Sequence, residues 1–228
     1  MRAGNMIYSS PADIPATLPL FPLEGTVLLP TAQMPLNIFE PRYVAMIDAA
    51  LRSDRMIGMI QPDFTLADDG EGDEDTPPLV KVGCAGRITA FQETGDGRYL
   101  VTLAGIARFH VEEELETVTP FRIARVSSEA FADDFELGKG EDEVDREGLV
   151  RTLREYLDAN DLEADWESIE RASTQVLVNA LSMMSPYGPA EKQALLEAPD
   201  LRTRAETLVA LTEVDLARKQ GDDGVVLQ

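Results

Sequence analysis

Leu79-Val-Lys-Val-Gly-Cys-Ala-Gly-Arg-Ile-Thr-Ala-Phe-Gln92, the turn Gly95-Asp-Gly97 and Tyr99-Leu-Val-Thr-Leu-Ala-Gly-Ile-Ala-Arg-Phe109 decide the fold class. Two runs rich in β-branched and aromatic residues flank a Gly-Asp-Gly turn, and that order specifies a β-hairpin. The glycines at 83 and 86 allow a bulge or bend in the first run. Upstream stand shorter apolar runs, Gly25 to Pro30, Met34 to Ile38 and Met56 to Gln61; downstream, Phe121 to Val126 alternates with period two. One helix interrupts the strands: Pro41 suits a first helical position, and Tyr43, Val44, Ile47 and Leu51 lie on roughly one face. These elements predict a small closed or half-closed barrel of about six strands plus one helix.

Beyond residue 145 the period becomes helical. Val150, Leu153, Tyr156 and Leu157 make one stripe; Trp166, Ile169, Ser173, Val176, Leu177, Ala180 and Met184 make a second, with Asp165 placed as N-cap. Ser185-Pro-Tyr-Gly-Pro189 breaks that helix, and Pro189 can open a short one ending before Pro199. Asp200 can cap a last helix carrying Leu201, Ala205, Leu208 and Val209. The expected organisation is α+β: a flexible tail over 1–16, a β domain over 17–128, an acidic linker over 129–145, a four-helix bundle over 146–220 and a tail over 221–228. The acidic run Asp68 to Asp75, closed by Thr76-Pro-Pro78, reads as a solvated loop, because it lacks the glycine and closing glutamate of a calcium loop.

Composition narrows the function. The 228 residues carry a formal charge of −22 with only four lysines, at 81, 139, 192 and 219. Such a surface repels phosphate backbones and anionic membranes, so neither nucleic acid nor membrane is an expected partner. No leader or membrane-length apolar run stands at the N-terminus, which places the chain in the cytoplasm as an expectation. Cys84 is the single cysteine and His110 the single histidine, too few for a metal site built from several His and Cys ligands. The Gly138-Lys139 pair has Asp133 where a phosphate-cradling loop needs its first glycine and Gly140 where it needs a hydroxyl. His110 lies at a strand end without a nucleophile-elbow motif, Cys84 lies mid-strand between small residues, and Glu112, Glu113, Glu114 and Glu116 read as a solvated edge. No catalytic residue, metal or cofactor is assigned.

What remains is apolar and concentrated in the first 60 residues. Phe21, Leu36, Ile38, Phe39, Arg42, Tyr43, Met56 and Met59 are the candidate peptide-binding residues, since aromatic and methionine side chains make adaptable surfaces. The same residues read first as core, and as a group they can do both, with one side packed and one side lining a groove. Glu40 to Tyr43 read first as a strand-to-helix junction and second as a groove rim.

Leu18-Pro-Leu-Phe-Pro-Leu23, Val27-Leu-Leu-Pro30, Met34-Pro-Leu36 and Ile38-Phe-Glu-Pro-Arg-Tyr43 together resemble the opening of Lon protease N-terminal domains. The similarity continues through Ile57-Gly-Met-Ile60, Val82 to Ile88, Gly97-Arg-Tyr99, Leu103 to Phe109 and Glu191 to Glu197. The resemblance implies a PUA-like pseudo-barrel followed by a helical bundle, and recognition of unfolded or extended polypeptide segments, with protease components as further partners. It implies a non-catalytic module, because the ATPase and Ser-Lys peptidase of a full Lon protease are absent from these 228 residues. Thr31 stands where the resemblance expects glycine after Pro30. Two other readings stay open: an enzyme of unrecognised type using carboxylates or His110 in the barrel mouth, and an RNA-binding barrel.

Overall fold

The computed structural model describes residues 1–63 and 77–222. The acidic run at 68–75 and the end of the tail, 223–228, lie outside the described residues. Two compact units emerge: residues 1–137 joined by 187–196, and residues 138–186 joined by the chain from Glu197 onward.

The first unit is a six-stranded sheet. Its strands are β3 (Thr17–Pro22), β4 (Gln33–Ile38), β5 (Met56–Ile60), β6 (Val82–Glu93), β7 (Tyr99–Leu115) and β8 (Ile123–Ser127), in the order β4-β7-β6-β5-β3-β8. An added β7–β8 pairing joins the sheet back onto itself and leaves β4 on one side of β7. β3 and β5 run parallel, with α1 (Pro41–Leu51) lying between β4 and β5 in the chain; the other neighbouring pairs are antiparallel. The expected hairpin is β6–β7, with Cα register from Val82–His110 to Glu93–Tyr99 and bulges at Ala85/Gly86 and Ile88/Ala90. Its tip needs Gly95 and Gly97 at φ of +83° and +85°, values that a side chain resists.

All of β5 is buried, because strands cover both its edges and side chains cover both its faces. Leu18, Leu20, Ile60, Ile106, Phe109 and Val126 form the centre of the core. The N-terminal segment is not the expected tail. Its two short strands, β1 (Arg2–Ala3) and β2 (Met6–Ile7), pair with each other, and Ala3, Tyr8 and Ile14 are buried in that same core.

The expected linker is also structured. Glu129–Phe135 is a 3-10 turn whose Asp134 and Phe135 are buried. Asp134 accepts from the Arg108 backbone N–H and from its Nε and Nη2, at 2.9, 2.9 and 2.8 Å. A carboxylate in the run expected to be a linker thus supplies the counter-ion for an arginine on a core strand.

The second unit holds α2 (Arg146–Ala159), α3 (Trp166–Arg171), α4 (Thr174–Met184) and α6 (Leu201–Asp222). Asp145, Asp165 and Ser173 each accept a backbone N–H at a helix start, and Asp200 does so from Thr203. Ser173 ends the stripe expected over 166–184 and divides it into α3 and α4. Val176 and Met184 are consequently exposed while Leu177, Val178 and Ser182 face inward. In α2 the inward face is Leu149 and Thr152, one position before the expected stripe.

One helix expected in the bundle belongs to the first unit. α5 (Pro189–Glu197) is fixed there by side-chain amides: Gln61 Nε2 donates to the Pro189 carbonyl and to Gln193 Oε1, both at 3.0 Å. Gln193 Nε2 in turn donates to the Val82 carbonyl at 3.0 Å, and Arg108 Nη1 donates to the Leu196 carbonyl at 3.2 Å.

Candidate polypeptide-binding site

Five of the eight candidate residues are enclosed. Phe21 packs edge-on against Tyr43 with ring centroids 4.5 Å apart, so α1 seals β3. Met56 and Met59 sit in the fully covered β5, with Met59 only 1% exposed, and Ile38 is buried opposite Tyr99. Burial also pushes the Tyr43 hydroxyl above its ordinary pKa. These residues are core, because each occupies an inward register position and cannot touch a peptide in this conformation.

Leu36, Phe39 and Arg42 remain accessible. Leu36 is half-buried on β4, and Phe39, 61% exposed, stands just past the Ile38–Tyr99 pair. Arg42 Nε donates to Glu40 Oε2 at 2.9 Å and its guanidinium lies 4.6 Å from the Tyr43 ring centre. Glu40 to Tyr43 therefore form the strand-to-helix junction, with Pro41 as the first helical residue.

Around Phe39 the strands assemble something the sequence reading missed. Past Arg87 the sheet continues as β4, β7 and β6 alone, since β5 pairs with β6 only from Cys84 to Arg87. In this projection Pro35 pairs with Thr102 and Thr102 with Ala90, while Asn37 pairs with Leu100 and Leu100 with Gln92. Alternation puts all six side chains on one face. None is charged, in a chain whose residues are 27% charged.

Leu100 is 45% exposed on that face. On the opposite face Phe91 is 38% exposed and packs edge-on to Tyr99, whose hydroxyl donates to Asp48 Oδ1 at 3.1 Å. That opposite face also carries Glu93, in register with Tyr99, and at the hairpin turn Arg98 and Asp96 pair at 3.4 Å. The outward alternation of Ala90, Gln92, Leu100 and Thr102 was the available signal. It was hidden because the long apolar runs of β6 and β7 read as core throughout.

β4 presents its backbone poorly to another strand. Pro35 lacks an N–H, which blunts an edge against strand addition. The projection therefore offers a neutral side-chain surface more readily than a free backbone edge.

The other sequence candidates fall elsewhere. His110 is exposed on β7 and stacks beside Phe131 with centroids 4.9 Å apart, and Cys84 is buried. Among the described residues no three His, Cys, Asp or Glu side chains converge as metal ligands, and no helix is long and apolar enough to cross a membrane.

Comparison with known proteins bears on this geometry. The chain is 29% identical over 202 residues to Lon protease 2 of Myxococcus xanthus, which covers 87% of this chain and 24% of that protein. It is 27% identical over 214 residues to the Lon protease of Anaeromyxobacter dehalogenans, covering 91% and 24%. The chain thus spans about a quarter of the length of these curated relatives. Two solved structures share the fold. A Lon N-terminal domain protein from Xanthomonas campestris matches with a TM-score of 0.59 at 23% identity, over 85% of this chain and 97% of that one. The N-terminal domain of a Mycobacterium avium complex Lon protease matches with a TM-score of 0.61 at 20% identity, over 86% and 98%. The family model for the substrate-binding domain of ATP-dependent protease La (Lon) matches residues 17–213. With so much of its length matched, the chain belongs to the Lon substrate-binding domain family.

Proposed function

We propose that this chain is a polypeptide-recognition module without catalysis of its own, holding unfolded or extended segments on the β4–β7–β6 projection. The observation that carries this reading is the uncharged face of Pro35, Asn37, Ala90, Gln92, Leu100 and Thr102, bordered by exposed Phe39, on a chain of net charge −22. Burial of apolar side chains against such a face is favourable by roughly 25 cal/mol per Å². Leu36 lies on the reverse face of the projection, in register with Val101 and Phe91, and Arg42 marks the charged border beyond Phe39. Family membership supports the same reading, with presentation to protease components as the further step.

The test is binding of a fluorescently labelled, chemically unfolded protein to the full chain. Phe39→Asp and Leu100→Glu, both at exposed positions, should weaken binding about tenfold or more and leave the melting temperature nearly unchanged. Met59→Ala serves as the contrast: it opens a cavity in β5 and should cost about 2–5 kcal/mol of stability. Unaltered affinity in both surface variants would remove the projection as the site.

A further inference from the structure

A second concave surface lies entirely within the helical unit, between α2 and α6. It is a cleft of about 460 Å³, within the roughly 300–1,000 Å³ typical of ligand clefts, so it holds a few side chains and not a whole folded partner. Small residues create it. Thr152 on α2 and Ala205 and Ala210 on α6 line it with short side chains, the Asp145 carboxylate lies over Gly148, and Leu149 and Val209 make the floor apolar.

The rim is charged and unbalanced. Arg151 and Arg202 stand among four carboxylates, Glu143, Asp145, Glu206 and Glu213. Arg202 is held by Glu206 at 2.8 Å, and Asp145 is engaged as the α2 cap through the Gly148 N–H at 2.9 Å. Glu143 adds its charge to the carboxylates that hold Arg202, whereas Glu213 has no ion pair among the described residues; the two stand on different elements, one before α2 and one on α6. Coulomb attraction at such a rim favours a cation, while the floor favours a hydrocarbon side chain.

We propose that this cleft is a second polypeptide subsite, which takes a short segment bearing an apolar side chain next to Lys or Arg. The apolar side chain enters between Leu149 and Val209, and the neighbouring cation meets Glu143 or Glu213. This goes beyond the neutral projection, which carries no charge selection, and it does not depend on it.

The experiment uses the full chain and two ten-residue labelled peptides, one with leucine flanked by lysine and arginine, the other identical but with glutamate at the flanks. The expected result is binding of the basic peptide that weakens as salt rises, and weakens about tenfold in the Glu143→Lys/Glu213→Lys double variant. Ala210→Phe, an exposed position that fills the cleft, should abolish it with the circular dichroism spectrum preserved. Phe39→Asp should leave it unchanged, which separates failure here from failure of the projection. Equal binding of the two peptides, or full affinity in the charge-reversed variant, would overturn the proposal. So would salt-independent self-association of the chain that Ala210→Phe abolishes, because the occupant would then be a second copy.

Discussion

Replacing Thr31 with glycine should make this protein more stable. Leu29, Pro30, Thr31 and Ala32 form a tight turn in which the Ala32 N–H donates to the Leu29 carbonyl at 3.2 Å. Thr31 occupies its third position at φ +70°, with proline before it, the pattern of a type II turn that favours glycine there. A β-carbon in the left-handed region costs roughly 1–2 kcal/mol, and β-branching places threonine at the upper end. The Thr31 Oγ1 is also buried with no hydrogen-bond partner among the described residues. Against these gains, glycine costs about 0.5–1 kcal/mol in unfolded-state entropy.

The balance is a net gain of about 1 kcal/mol, or roughly 2–4 °C for a chain of this size. The turn itself is held in place by Gly105, whose carbonyl accepts from the Thr31 N–H at 3.0 Å and whose N–H donates to Ala32 at 2.9 Å. Its backbone conformation therefore should persist in the variant. Thr31→Ala should fall between parent and glycine, and Thr31→Val should gain nothing. Calorimetry is the suitable assay, because the only tryptophan, Trp166, lies in the other unit. A Thr31→Gly protein melting at or below the parent temperature refutes the strain argument.

Two further outcomes follow from the charged groups. Asp134→Ala strands the Arg108 guanidinium on a covered strand, and urea denaturation should register a loss of about 3 kcal/mol or more. Asp200 is held below the ordinary carboxylate pKa of 3.8, first by the Thr203 backbone N–H at 2.7 Å. Its folded pKa is depressed, so its contribution is present above that ordinary value and is lost as pH falls through the folded one. The melting difference between parent and Asp200→Ala should accordingly be full at neutral pH and shrink below about pH 3.8. A difference that grew on acidification would contradict the assignment.

Much of the architecture was legible because it depends on local chemistry. The Gly-Asp-Gly turn between two β-rich runs, Pro41 at a helix start and aspartates at 165 and 200 as caps each act through their own backbone. The unreadable parts required partners distant in sequence. Tyr8 follows Met6 and Ile7, which stay exposed, and Ile14 stands between Asp13 and Pro15, so only the barrel core shows which of these apolar residues are buried. α5 joins the first unit through Gln61 and Val82, more than 100 residues away. Asp134 stands in the run expected to be a linker, and Arg108, 26 residues away, is what makes it a buried partner.

The site was harder, for a related reason. An apolar residue reads the same whether it faces inward or outward, so Met59 and Phe39 were indistinguishable until register separated them. Leu36, Phe39 and Arg42 alone of the eight stayed accessible, and their neighbours Phe91 and Leu100 came from a hairpin whose greasy sequence concealed an outward face.

The loan of α5 to the barrel constrains any attempt to dissect this molecule. The backbone passes from one unit to the other at 137/138, 186/187 and 196/197, so no single scission separates them cleanly. A fragment ending at residue 137 would strand the Gln61 carboxamide, the Val82 carbonyl and one arm of Arg108 without their α5 partners. Fragment boundaries for expression must instead keep 187–196 with the strands, joined across the excised helices by a short splice.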